Sequence, residues 1–140
     1  MKRLLYALVL VLCFSCSNDP LVYIEHVEGY WEIEAVTTSD GLKKEYTFSN
    51  TIDFIQFTDS LNGIRRKMKP NLLGNFESSL SVESFELKIE NDSLNVYYKT
   101  PYSEWKETII GATENNLVVL NANNVMYLYR RYEPLDLDLE

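Results

Sequence analysis

The chain has 140 residues and carries 21 Asp and Glu against 13 Lys and Arg, a net charge of −8. That length suits a single domain, and the acidic balance argues against nucleic acid as a partner, because phosphates need clustered Lys and Arg. One His and two Cys are too few ligands for a Cys/His zinc site and allow one disulfide at most.

At the start, Lys2 and Arg3 precede an apolar run over residues 4–14, followed by the small Ser15 and then Cys16. A charged end, an apolar core and a small residue at the cut make a secretory signal. As a helix the 11 apolar residues would rise roughly 16 Å, about half of the ~30 Å hydrocarbon layer, so they do not form a permanent span. "CFSC", residues 13–16, resembles the lipobox of bacterial lipoproteins. The resemblance implies cleavage before Cys16, a diacylglyceryl group and palmitate-type acylation on that residue, and loss of Cys13 with the signal. Cleavage removes two cations and no acid, which takes the net charge from −8 to −10. The mature fold then stands on packing alone, without disulfides.

After the signal, residues 18–29 read as a short helix. Asp19 suits the N-cap, Pro20 the first helical position and Gly29 a left-handed stop, with Tyr23, Ile24 and Val27 on one face. From Gly29 onward the period changes to two. Trp31, Ile33 and Ala35 alternate with Tyr30, Glu32 and Glu34; Phe85, Leu87 and Ile89 alternate with Glu86, Lys88 and Glu90; Leu94, Val96 and Tyr98 share a face. These are half-buried strands. Turn residues recur between them, as at Asp40-Gly41, Asn62-Gly63, Asn91-Asp92 and residues 121–124. Strands are expected near 30–37, 43–49, 52–58, 63–69, 73–79, 83–90, 93–99, 104–111, 116–121 and 124–132. No crossover helix lies between them, which excludes a parallel α/β sheet. The expected fold is all-β: a small antiparallel up-and-down barrel of about 8–10 strands with one short N-terminal helix.

Two stretches carry a family resemblance. "EGYWEIEAV", residues 28–36, with Gly29-x-Trp31 opening the first strand, and "MYLYRRYE", residues 126–133, with arginines near the end of the last, are similar to the first and last strands of lipocalin-like barrels. Residues 29–133 as a whole resemble the lipocalin-like lipoproteins of Gram-negative envelopes. The resemblance implies ligand binding or envelope support without assigned chemistry, a lipid anchor in the outer membrane, and closure of the barrel floor by Trp31 under Arg130 or Arg131. Strand parity leaves the choice between the arginines open. The expected layout is a signal at 1–15, a lipidated tether at 16–20, the barrel at 21–133 and an acidic tail at 134–140. The tail, with its alternating Leu and Asp, reads as a solvated end or an edge strand.

"RRKMKP", residues 65–70, concentrates Arg65, Arg66, Lys67 and Lys69. It reads either as a site for an anionic ligand or lipid headgroups or as a strand whose outward charges pair with neighbouring acids. Parity sets Arg65, Lys67 and Lys69 apart from Arg66, which shares a face with Ile64 and Met68 and is the candidate for the interior. As surface charges, Arg65 and Lys67 are expected to tolerate reversal without loss of stability. Residues 97–105 hold Tyr98, Tyr102 and Trp105 as candidate ligand or partner contacts, against ordinary packing at the barrel rim; Tyr98 and Trp105 are placed nearest the interior.

Catalysis is not expected. His26 is the one near-neutral base and stands beside Glu25 on the helix, no glycine loop suits phosphate, and no metal-ligand spacing or cofactor motif occurs. Two readings remain: a barrel that binds a small hydrophobic or amphipathic ligand, and a solid-cored accessory subunit of an envelope protein assembly. Trp31, Phe54, Phe57, Phe85, Tyr98, Trp105 and Tyr127, taken as inward residues, would leave a small or closed cavity.

Overall fold

The computed structural model describes residues 19–133, of which 79 and 80 are described by backbone alone. The expectations for the signal, for lipidation of Cys16 and for the acidic tail fall outside the described residues. Helix α1, Pro20–Val27, begins where Asp19 accepts a hydrogen bond from the Leu21 backbone N–H at 3.0 Å. Val27 is buried, and Tyr23 and Ile24 pack on the barrel core beside it. Gly29 is not a left-handed helix stop. Its φ is +131° and it is the first residue of a strand; the helix ends instead at Glu28 in extended backbone.

Among the described residues nine strands follow: β1 Gly29–Thr37, β2 Lys43–Glu45, β3 Ile52–Phe57, β4 Asn62–Pro70, β5 Phe76–Glu90, β6 Ser93–Lys99, β7 Glu104–Ala112, β8 Asn116–Asn121 and β9 Met126–Arg131. Every pairing is antiparallel, and β1 pairs with β9 as well as β3. The ring of eight strands is therefore closed and has no free edges. The ninth, β2, lies outside that ring and pairs with the far end of β1.

Two expected strand assignments change, and one expected alternation breaks. The strand expected over 43–49 stops at Glu45, because the chain beyond it leaves the ladder: Ser49 N–H turns to the Glu32 carboxylate and Ser49 Oγ to the Thr51 carbonyl. The strands expected at 73–79 and 83–90 are one strand, β5. Its true start follows a turn in which Asn71 Oδ1 accepts from the Leu73 and Asn75 backbone N–H groups, and a register shift opposite Arg66 and Met68 lets it bend. In β1, a shift between Ile33 and Ala35 breaks the expected alternation. Ile33 stands opposite Tyr129 and Ala35 opposite Leu128, so Ala35 turns to the outer face.

The interior is one cluster that includes Val27, Trp31, Ile55, Phe85, Leu87, Val96 and Val119, with Tyr127 and Tyr129 against it. A second layer lies outside the ring. Tyr30 stacks on Phe54 at 4.5 Å and on Phe76 at 5.1 Å, and Phe76 meets Tyr132 edge-on. Phe54 is thus not an inward residue. The register places Ile55 opposite Gly29 and Asp53 opposite Trp31, which leaves Phe54 beside Tyr30 on the other face. Ile52 and Ala35 are buried without belonging to the interior cluster, and register puts both on the outer face.

Gly63 is required by close approach. It pairs with Phe85, and a Cβ there would fall on the Phe85 ring and the Gln56 carbonyl. Gly63→Ala is expected to cost about 1 to 3 kcal/mol through overpacking, measured by urea denaturation; a loss within error would mean that Phe85 has room to move.

Candidate functional site

One end of the barrel is sealed by Trp31, which is fully buried and donates from Nε1 to the Val27 carbonyl at 2.8 Å. Arg131 lies over its ring at 3.8 Å and donates to the carbonyls of Glu28 at 2.7 Å, His26 at 3.1 Å and Glu114 at 2.9 Å. One guanidinium thus stacks on an indole and satisfies carbonyls at the end of α1. Arg131 can pass because Gly29 has no side chain: a Cβ there would fall on Nη1 of Arg131. Arg130 points to the opposite face, where Nε pairs with Glu32 at 3.0 Å and Nη2 donates to the Thr47 carbonyl at 3.0 Å.

The basic stretch does not form one surface patch. Arg65 points into the barrel, where its side chain keeps 13% of its exposure. Nε pairs with Glu83 at 2.5 Å, and Nη1 reaches Tyr98 OH at 3.1 Å and Glu107 at 3.3 Å. The guanidinium also lies 4.1 Å from the Tyr98 ring centroid, and Tyr98 stacks in turn on Trp105 at 5.2 Å. Parity explains the direction: Gly63 and Arg65 follow the inward row, facing Phe85 and Glu83 on β5, while Ile64, Arg66 and Met68 take the other. Arg66, the expected interior residue, is therefore on the outer face. Its Nε is buried without a hydrogen-bond partner among the described residues.

Burial opposes the charge on Arg65, but Tyr98, Glu107, the Glu83 hydrogen bond and Asp53 outweigh it and raise its pKa. Lys67 reaches Asp53 at 2.6 Å; the Asp53 side chain is 6% exposed, while Lys67 keeps 55%. Lys69 is exposed on the arm formed by the ends of β4 and β5. The aromatic stretch is divided in the same way. Tyr98 is buried, Trp105 half-buried, and Tyr102 stands 96% exposed in the β6–β7 turn.

These side chains fill the barrel. The space left at its centre is about 20 Å³, bordered by Trp31, Asp53, Arg65, Tyr98 and Tyr129, room for about one water molecule. A larger hollow of about 700 Å³ opens along β4 to β7, lined by Gly63, Phe85, Tyr98 and Trp105 together with Tyr97, Lys99 and Glu104. Among the described residues no cluster of three or more His, Cys, Asp or Glu is placed to hold a metal ion, and no helix is long and apolar enough to cross a membrane.

The family model for the lipocalin-like domain matches residues 27–119, the span from the last residue of α1 to the middle of β8. The chain belongs to the lipocalin-like domain family. No curated protein matches this lipocalin-like chain in sequence. Among solved structures, a lipocalin-like protein from Bacteroides uniformis aligns with a TM-score of 0.49 at 8% identity, covering 76% of this chain and 98% of the other. An uncharacterised protein from Bacteroides eggerthii aligns with a TM-score of 0.48 at 13% identity, covering 75% and 98%. A de novo designed fluorescence-activating β-barrel aligns with a TM-score of 0.45 at 14% identity, covering 83% and 100%.

Sequence reasoning missed the acids of the lipocalin-like interior: Asp53, Glu83 and Glu107. A signal for two of them was present. The apolar row Phe85, Leu87, Ile89 runs back in register to Glu83, and Glu107 lies between Trp105 and Ile109; an acid in an inward row demands an inward cation.

Reversing Arg65 is therefore expected to be severe. Arg65→Glu would set a third carboxylate among unpaired ones and cost at least about 3 to 5 kcal/mol, read by urea denaturation; a loss below about 1 kcal/mol would mean that Arg65 is free in solvent. Burial also raises the Tyr98 and Tyr129 hydroxyls above the ordinary tyrosine range. A folded-state pKa above the unfolded value gives stability that is fully present below about pH 10 and lost as pH rises through the folded values. In an alkaline titration, tyrosinate absorbance from these two residues is expected only together with loss of near-ultraviolet circular dichroism. Their ionisation in the intact fold would contradict this.

Proposed function

We propose that this lipocalin-like chain is a lipid-anchored, non-catalytic protein of the cell envelope that binds a protein partner through its outer surface. A lipocalin-like barrel is a binding fold in general, and two finer readings come from the sequence: an apolar ligand in the lumen, or a partner at the surface. The filled lumen favours the second. A space of about 20 Å³ is far below the several hundred Å³ of a typical ligand pocket, and enlarging it means displacing Arg65 from Glu83, Tyr98 and Glu107. The anchor rests on the sequence alone, on Cys16 after an apolar segment and Ser15. Diacylglycerol and a further acyl chain on one residue hold a protein to a bilayer stably where a single chain does not.

The two parts separate experimentally. Full-length protein purified from membranes is expected to show acylation of Cys16 by intact mass spectrometry, and organic extraction is expected to release no stoichiometric apolar molecule. A Cys16→Ala chain with the same mass increment and membrane retention would overturn the anchor. One extracted lipid or other apolar compound per protein would overturn the surface reading.

A further inference from the structure

The end of the barrel that Trp31 seals is also its most apolar end. β1 starts there at Gly29, and the antiparallel register brings the close of β3 to it, with Ile55 opposite Gly29, and the close of β9, with Arg131 opposite Trp31. The turns at 58–61, 91–92 and 113–115 therefore share this end with α1. Tyr23, Ile24 and Val27 of α1 turn to the core, which leaves Leu21 60% and Val22 48% exposed on its other side. Leu61 in the first of those turns, Ile89 near the close of β5 and Ile110 on β7 are exposed as well. Ile110 is the extra residue of a bulge, since Ile109 faces Val119 and Gly111 faces Val118, and α1 packs against β6 and β7.

We propose that this end lies on a phospholipid bilayer, with Leu21 and Val22 at the boundary between headgroups and acyl chains. The inference rests on the acylation of Cys16 proposed above. Leu21 follows Cys16 by five residues, so an acylated Cys16 keeps it within about 18 Å of chain from the membrane surface. A helix with one bare apolar side and a short tether to lipid lies in the interface plane. The contact is not electrostatic, because the exposed acids Glu25, Asp59, Asp92 and Glu114 stand at this end and would be repelled by anionic headgroups. The surface therefore suits a zwitterionic bilayer. The β6–β7 turn with Tyr102 is at the opposite end and faces away from the membrane, open to a protein partner.

The test places a nitroxide on full-length protein purified from membranes and reconstituted in phosphatidylcholine vesicles, at Val22→Cys in one sample and at Tyr102→Cys in another. The Val22 label is expected to be at least about tenfold less accessible to a water-soluble nickel complex than the Tyr102 label, and more accessible to oxygen, as for a group at the acyl boundary. A Leu21→Asp substitution behind the Val22 label is expected to restore nickel access without loss of the fold, because Leu21 is exposed. Equal nickel access at the two positions on a chain acylated at Cys16 overturns the proposal and leaves the anchor standing. Protection that grows with the protein-to-lipid ratio assigns the face to a second copy, and protection that needs added phosphatidylglycerol makes the contact electrostatic; each overturns it. An unacylated Cys16 in the mass spectrum of the same sample overturns the anchor and this inference with it.

Discussion

A positive charge in the middle of a small barrel constrains the rest of this structure. Arg65 starts on β4 and touches Glu83 on β5, Tyr98 on β6 and Glu107 on β7, so one side chain ties four adjacent strands from the inside. An unpaired guanidinium there would be very costly, and two carboxylates, a hydroxyl and a ring face offset that cost. Such a network adds little net stability compared with a hydrocarbon core. Fully satisfied, it rigidifies the interior and specifies one arrangement of side chains, and it consumes the volume in which a lipocalin-like barrel could hold a ligand.

The second arginine acts at the sealed end. Arg131 belongs to the last strand, Trp31 to the first, and the carbonyls that Arg131 bonds belong to the end of α1 and the stretch after β7. Barrel closure and helix docking are therefore one event: the helix cannot leave without uncovering Trp31 and stripping Arg131 of its acceptors. The glycine of the first strand serves this end by leaving space for the guanidinium.

With the lumen filled, the proposed contact surface is the outside of the barrel. The start of β5 brings Phe76 against Tyr30 of β1 and Tyr132 after β9, and Tyr30 stacks on Phe54 of β3, so an aromatic layer covers part of the outer face. Ile52 and Ala35 are buried as well, although they are not part of the interior cluster. Tyr132 of that layer lines the same groove as the bare side chains Phe48, Leu72 and Leu73. A barrel with a second skin can vary its surface without disturbing its core, which is the property expected of a protein that works by contact.

Period and punctuation settled much of this fold by themselves. The change from a capped helix to alternating strands, the turn at Asn91-Asp92 where both residues have positive φ, and the absence of crossover helices are local facts, decided by backbone preferences. The site was less legible. Arg65, Arg66, Lys67 and Lys69 look alike in the sequence, and their alternation says that they divide into two faces without saying which faces the core. That choice depended on register: Gly63 against Phe85 and Arg65 against Glu83 are pairings between residues far apart in the chain, and a slip of one residue would exchange the faces. The same holds for Arg130 and Arg131, separated only when β9 closed on β1 with Tyr129 opposite Ile33. Local pattern determined where strands form; only the closed barrel, through its register and its demand that a buried charge be paired, decided which side chains became its interior.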